Sequence, residues 1–370
     1  MHDPRISKMA KTIVQYALKL EKGDKFLIRG NEAVIPLMKE LYKEALLVGA
    51  LPEVKVEIEE LREILLKNGS DEQISYASPI VKEAIAQYDA YIRIEGSFHK
   101  NPLQSIPSEK IQMNDRALSQ LVKSIASKRL EGKMKNSLTL YPTVAGAMDA
   151  NMSLSEYEDF VYRACFIDRE DPAAEWLKLK EHQEGIINYL KDKDVIRVLN
   201  DGTDLTLKVG GRKWENSCGT TNFPSGEVYT GPVETSLNGY ISYNLPTVKS
   251  GKKVDGIRLE FKDGKVVHAT AKVGEEHLLA LIATDEGASY VGEFAIGTNE
   301  NVDRFTGNIL FDEKMGGTIH IALGSAYKQT GSKNESNLHW DMILDMKNGG
   351  ELYADGELFY QNGKFLKGAQ

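Results

Sequence analysis

Tight-turn dipeptides are distributed unevenly along this chain, and that imbalance constrains its fold more than any other feature. Asp-Gly or Asn-Gly pairs begin at Asp201, Asn238, Asp255, Asp263, Asn348, Asp355 and Asn362, whereas the first half holds only Asn68-Gly69. Both residues of such a pair tolerate positive φ, as a two-residue hairpin turn requires. Between the pairs lie alternating runs such as Gly256-Ile257-Arg258-Leu259-Glu260-Phe261. Period-two alternation marks strands with one buried and one wet face. The second half is therefore predicted to be rich in antiparallel strands.

The first half has a different rhythm. Ile6, Met9, Ile13, Ala17 and Leu20 recur at helical spacing, and Gly23-Asp24 ends that pattern. A short apolar strand, Phe26-Leu27-Ile28, comes next. Val34, Leu37, Met38, Leu41 and Ala45 then share one helical face, and an extended segment follows at Val54-Lys55-Val56. Ser78-Pro79 opens a further helix, with Ser as N-cap and Pro in the first turn, leading to a strand at Ala90–Ile94. Strands alternating with helices predict a parallel sheet covered on both faces. At 370 residues there is room for two domains. The expected fold class is α/β: a doubly wound α/β domain over residues 1–170, then a mixed α+β domain over 171–370, rich in antiparallel strands. A helix opened by Asp171-Pro172 and passing Trp176 and Ile187 joins them.

Several function classes fall away. The strand ending at Ile28 runs into Arg29-Gly30-Asn31-Glu32, with no G-x-G-x-x-G, and no G-x-x-x-x-G-K phosphate loop occurs. The α/β half thus reads as a domain without nucleotide. With 46 basic against 54 acidic residues, the net charge of −8 does not suit phosphate-backbone binding. No apolar run approaches a membrane span, and Met1–Lys11 lacks the apolar core of a signal peptide. Two cysteines, Cys165 and Cys218, supply neither a disulfide framework nor a thiolate metal cluster. The expectation is a cytoplasmic protein that binds neither nucleic acid nor membrane.

The chemistry concentrates in the second half. Of the histidines, His2, His99, His182, His268 and His277 read as surface or core-edge residues. His339 has better company. Leu338-His339-Trp340-Asp341-Met342 alternates, so His339 and Asp341 share a strand face while Trp340 and Met342 point to the buried side. An imidazole beside a carboxylate can ligate a metal or form a plain ion pair. His320, in Thr318-Ile319-His320-Ile321-Ala322-Leu323-Gly324, lies opposite the isoleucines, on a face of small residues that leaves room for a metal or substrate. Two Gly-Glu pairs, Gly226-Glu227 and Gly292-Glu293, place carboxylates where the backbone can pass close to a neighbour. Carboxylates are the side chains able to bridge two cations.

At these residues the chain resembles the aminopeptidase T and aminopeptidase S (PepS) family of metallopeptidases. Asn222-Phe223-Pro224-Ser225-Gly226-Glu227-Val228 resembles the first metal motif of that family, and Gly292-Glu293-Phe294-Ala295-Ile296-Gly297 the second. Leu310–Lys314 with Gly317–Gly324 resembles the third, and Tyr327 and His339-Trp340-Asp341 follow in order. The likeness runs from Asn222 to Asp341 and is weaker in the N-terminal half, where it rests on layout.

The resemblance implies metal ligands at Glu227, Glu293, His320, His339 and Asp341, with Glu293 or Asp341 as bridge. It implies two divalent ions per chain (Zn, Co, Mn or Mg), a water activated between them, and removal of N-terminal residues from peptides with a free N-terminus. Tyr327 would donate to the developing oxyanion. A homodimer enclosing a cavity is implied as well. Glu293 or Glu313 would carry the proton. The stretch between Glu313 and His320 is longer than in some relatives, which leaves Glu313 as general base, as partner of a ligand, or as neither. The rival reading is a mononuclear non-haem Fe(II) ring-cleaving dioxygenase, for which His320, His339 and Asp341 alone would suffice. Glu227 and Glu293 separate the two, since a mononuclear site needs no further carboxylates.

Overall fold

The computed structural model describes residues 3–79, 86–99, 102–366 and 368. It separates into two compact units, Met1–Ala173 with Gly219–Phe223, and Ala174–Cys218 with Pro224–Gln370.

In the first unit, Ile6, Met9, Ile13, Ala17 and Leu20 are all buried, as the periodicity requires. The helix itself is α-helical over Pro4–Thr12, capped by the Asp3 carboxylate accepting from the Arg5 N–H, and becomes a π-turn over Ile13–Ala17. Four parallel strands follow: β1 (Lys25–Asn31), β2 (Leu51–Glu57), β3 (Ala90–Glu95) and β4 (Lys135–Leu140). Their spatial order is β2-β1-β3-β4. The order reverses between β1 and β3, so right-handed crossovers put the helices Ile35–Leu47 and Ser108–Leu130 on opposite faces. That is the doubly wound arrangement expected. The helix expected from Ser78-Pro79 falls mostly on residues 80–85, outside those described.

The helix Pro172–Leu190 lies in the second unit from Ala174 onward and is followed there by strands β5 (Val195–Asn200), β6 (Thr203–Lys208) and β7 (Glu215–Ser217). The chain then returns to the first unit for one short strand, β8 (Asn222–Phe223). It pairs in parallel with β4, and the Thr139 hydroxyl donates to Phe223 O at 2.6 Å.

The remaining strands are β9 (Glu227–Thr230), β10 (Asn238–Ser242), β11 (Thr247–Lys249), β12 (Lys252–Val254), β13 (Arg258–Lys262), β14 (Lys265–Thr270), β15 (Val291–Gly297), β16 (Thr318–Gly324), β17 (His339–Asp345), β18 (Glu351–Ala354), β19 (Glu357–Gln361) and β20 (Lys364–Phe365). They form an eight-stranded antiparallel sheet in the order β14-β13-β10-β6-β5-β18-β19-β20, the hairpin β11-β12, and a five-stranded sheet in the order β17-β16-β15-β9-β7. The two larger sheets share one apolar core, which takes Val198, Leu205, Leu259 and Phe359 from the first and Val228, Phe294, Ile321 and Trp340 from the second. Of the turn pairs, Asp263-Gly264, Asp355-Gly356 and Asn362-Gly363 have positive φ at both residues, as a two-residue hairpin demands. Among the described residues, no helix is long and apolar enough to cross a membrane.

Candidate metal centre

Every sequence-predicted ligand lies on one face of the five-stranded sheet. Antiparallel register is the cause. His339 pairs with Gly324, Asp341 with Ala322 and Ile343 with His320 across β16 and β17. Ala322 is in turn opposite Glu293, and His320 opposite Ala295, across β15 and β16. Gly297 of β15 stands opposite Glu227 of β9. Residues directly opposite project to the same side, so His339, Asp341, His320, Glu293 and Glu227 share a face. Ala322 and Ala295 line that face with methyl groups, which leaves space between the larger side chains. Trp340, Met342, Ile321, Phe294 and Val228 occupy the other side and fill the core.

Glu293 reaches this face through a register shift. Val291 pairs with Leu323 and Glu293 with Ala322, so Gly292 is an extra residue in β15. In a regular strand Glu293, two residues beyond Val291, would point the same way as Val291, into the apolar core; the bulge reverses that. Gly292 is obligatory for a second reason: a Cβ there would lie 2.4 Å from Gly324 O. The other Gly-Glu pair works differently. Gly226 has φ +136°, and a Cβ would meet the Asn299 Cβ at 2.4 Å. Asn299 Nδ2 donates to Ser225 O at 2.8 Å, and Gln183 Nε2 donates to Glu227 O at 3.2 Å. These contacts fix the backbone from which the Glu227 side chain projects.

The side chains converge closely. His320 Nε2 lies 3.5 Å from Glu227 Oε2, 3.8 Å from Glu293 Oε1 and 3.9 Å from Asp341 Oδ1. His339 Nε2 is 3.5 Å from both Glu293 Oε2 and Asp341 Oδ1. His339 Nδ1 faces Ser325 O at 2.8 Å. A carbonyl can only accept, so in the neutral ring Nδ1 carries the proton and the free lone pair lies on Nε2. Glu313, at the end of the short helix Ile309–Asp312, joins His320 and Asp341 within reach of a common point.

Burial and mutual charge set the protonation states of this cluster. Burial alone would lower His320, yet Glu293, Glu227 and Asp341 more than offset it and raise the imidazole to about 9. His339 is raised in the same way, chiefly by Asp341 and Glu293. Asp341, despite burial, is held well below the usual carboxylate range by His339 and His320. Burial pushes Glu313 up to about 7, with Lys314 opposing. Loss of hydration, reinforced by Glu293, Asp341 and Glu313, raises the Tyr327 phenol well above its ordinary value. Its ring packs edge-on against His339 at 5.3 Å while 37% of the residue stays exposed, so it stands at the mouth of the cluster.

The donor set fits divalent cations. Three groups of three ligand atoms each draw together: Glu227, Glu293 and His320; Glu293, His339 and Asp341; Glu313, His320 and Asp341. Glu227 Oε2 and Asp341 Oδ1 are buried and make no hydrogen bond among the described residues. Buried carboxylate oxygens without donors are costly unless a cation meets them. Oxygen-rich donors with two imidazoles suit Zn, Co, Mn or Mg, and the absence of thiolate keeps the binding exchangeable.

Sequence reasoning missed two residues of this site. Lys314, 1% exposed at its side chain, contacts Glu227 Oε1 and Glu313 Oε1 at 2.5 Å each. Nothing in its local pattern separates it from a surface lysine. Tyr229 was within reach, because it follows Glu227 by two on β9 and so lies on the same face. Its ring packs on Tyr327 at 5.2 Å, and its hydroxyl accepts from Gln329 Nε2 at 3.2 Å.

The family model for thermophilic metalloproteases, M29, matches residues 2–365. Aminopeptidase 2 of Geobacillus stearothermophilus is 27% identical, over 88% of this chain and 84% of its own length. Aminopeptidase T of Thermus thermophilus is 26% identical, over 97% of this chain and 95% of its own. The solved structure of wild-type AmpT from Thermus thermophilus superposes with a TM-score of 0.86 at 24% identity, covering 98% of this chain and 99% of that one, and so shares its fold. The iron oxygenase reading finds no support in these comparisons. With its metal-ready cluster and a family match across nearly its whole length, the chain belongs to the thermophilic metalloprotease family, M29.

Proposed function

We propose that this metal-dependent aminopeptidase works with two divalent cations, held by Glu227, Glu293, His320, His339 and Asp341, and that it releases N-terminal residues from peptides. The observation that carries the two-cation reading is the overlap of the ligand groups. Of the three, the group of Glu227, Glu293 and His320 shares Glu293 with the group of Glu293, His339 and Asp341, and the latter shares Asp341 with the group of Glu313, His320 and Asp341. A carboxylate common to two such groups is the natural bridge. Charge favours cations here without fixing their number. Glu227, Glu293, Glu313 and Asp341 converge, with Lys314 between Glu227 and Glu313 and Lys249 acting on Asp341. With neutral imidazoles the carboxylates still outnumber these ammonium groups in a buried space, an imbalance that divalent cations offset.

Bound cations supply Lewis acidity, lowering the pKa of a shared water and polarising the scissile carbonyl. The protein supplies the rest. The bond from His339 Nδ1–H to Ser325 O fixes the tautomer, so that the neutral ring presents the Nε2 lone pair to the centre. The Tyr327 phenol stays neutral at working pH and serves as hydrogen-bond donor to the oxyanion. Glu313, titrating near neutrality, suits proton transfer from water to the leaving amine. Glu293 is the other candidate for that transfer, but its two imidazole partners hold it below its ordinary value and make it a better ligand than base. A homodimer and a cytoplasmic address belong to the same proposal, and light scattering with cell fractionation tests them.

Metal counting on dialysed protein, alongside hydrolysis of amino-acid p-nitroanilides, tests the central claim. Two cations per chain at full activity is the expected result. Full activity with one cation per chain overturns the dinuclear reading, and one iron with oxygen uptake would revive the oxygenase.

A further inference from the structure

Lys314 is the one buried charge of the centre for which ligation has no use. The loop after the short helix Ile309–Asp312 brings it in, and that loop is anchored by Asn299 N–H donating to Lys314 O at 3.0 Å. The ammonium spans two carboxylates and takes one oxygen from each: Glu227 Oε1 and Glu313 Oε1, both at 2.5 Å. The remaining Glu227 oxygen, Oε2, makes no hydrogen bond and faces His320 Nε2 at 3.5 Å. Glu227 is thus divided, with one oxygen held by a fixed protein cation and one turned toward the ligand cluster.

A carboxylate with both oxygens available can close on a cation through two bonds, and each extra bond occupies a coordination position that water or substrate needs. An ammonium donates to one oxygen and removes it from that competition. We propose that Lys314 is a positioning residue that confines Glu227 to one-oxygen ligation and holds Glu313 beside it, keeping the centre open for substrate. This rests on the metal centre proposed above.

The distinction from a merely structural ion pair is measurable. Replacing Lys314 with Met keeps volume and removes the clamp. The surplus negative charge then favours cation binding, while the freed Glu227 oxygen fills an open position. Cobalt reports on this, because its visible absorption weakens as coordination number rises.

The experiment loads the wild-type chain and Lys314→Met with Co(II), and measures the visible spectrum, Co(II) affinity, kcat and KM. For Lys314→Met the expected result is a weaker band, affinity equal to or tighter than wild type, and kcat lower by about tenfold to a hundredfold with little change in KM. Lys314→Arg, which retains a cation able to reach both carboxylates, is expected to restore the band. A wild-type spectrum and kcat in Lys314→Met overturn the proposal, as does a parallel loss of affinity and kcat in both variants. If Lys314→Met does not fold, Lys314→Leu, which has neither charge nor donor, carries the same expectations. Failure of the metal centre itself shows separately, as a wild-type chain that takes up no Co(II).

Discussion

Loading the metal-free protein with a divalent cation should expel about two protons per chain at pH 7.5. Without metal, His320 sits among Glu227, Glu293 and Asp341 and titrates at about 9, while His339 is raised by Asp341 and Glu293. Both imidazoles are therefore protonated at pH 7.5. A ligating imidazole must be neutral, so each cation that docks has to displace a proton. For His320 the displacement spans about 1.5 pH units, which costs about 2 kcal/mol and weakens apparent affinity about thirtyfold relative to pH above 9. Affinity should rise with pH by about tenfold per unit for each displaced proton, and level off once the imidazoles are neutral. Lys314 releases nothing, because Glu227 and Glu313 hold it charged. Titration calorimetry in phosphate and in Tris measures this directly, since the enthalpy difference between buffers gives the proton count. No proton release at pH 7.5 would refute the argument: either the imidazoles are not ligands, or the carboxylates do not hold them protonated.

Three further outcomes follow from the same geometry. Tyr327→Phe should retain wild-type metal content but lose roughly a hundredfold in kcat; wild-type turnover would remove Tyr327 from the oxyanion role. Gly226→Ala should lower stability by about 2–4 kcal/mol, because φ is +136° and the new Cβ meets that of Asn299 at 2.4 Å. A melting temperature unchanged from wild type would show that this turn yields. The metal-free protein should lose stability as pH rises from 6.5 to about 9. A raised imidazole pKa favours the folded state fully below 6.5 and not at all above the folded value. For His320 alone the loss is about 3 kcal/mol, read from denaturant midpoints across that range; midpoints flat in pH would contradict it.

The local grammar of the chain carried much of this architecture. Period-two alternation exposed the strands of the second half, and it put His339 and Asp341 together with Trp340 behind them, because side-chain direction in a strand is a property of two neighbouring residues. Helical spacing in the first half likewise identified the buried face from Ile6 to Leu20. The Gly-Glu pairs were legible as places of close backbone approach, and Gly226 and Gly292 are both such places.

Tertiary structure decided what depends on partners distant in sequence. No local pattern announces that Gly292 is an inserted residue that turns Glu293 away from the core, since a bulge is defined by the strand opposite. Nor does one announce the return of Asn222–Phe223 to the first sheet, where two residues suffice because β4 is already there to pair with them. Lys314 looks like any surface lysine until the fold sets Glu227 and Glu313 on either side of it. The five proposed ligands are spread from residue 227 to residue 341, and what gathers them is the shared register of β9, β15, β16 and β17. Which residues could bind a metal was written in side-chain chemistry; that they meet at all is a consequence of hydrogen-bonded strands whose pairing only the folded chain establishes.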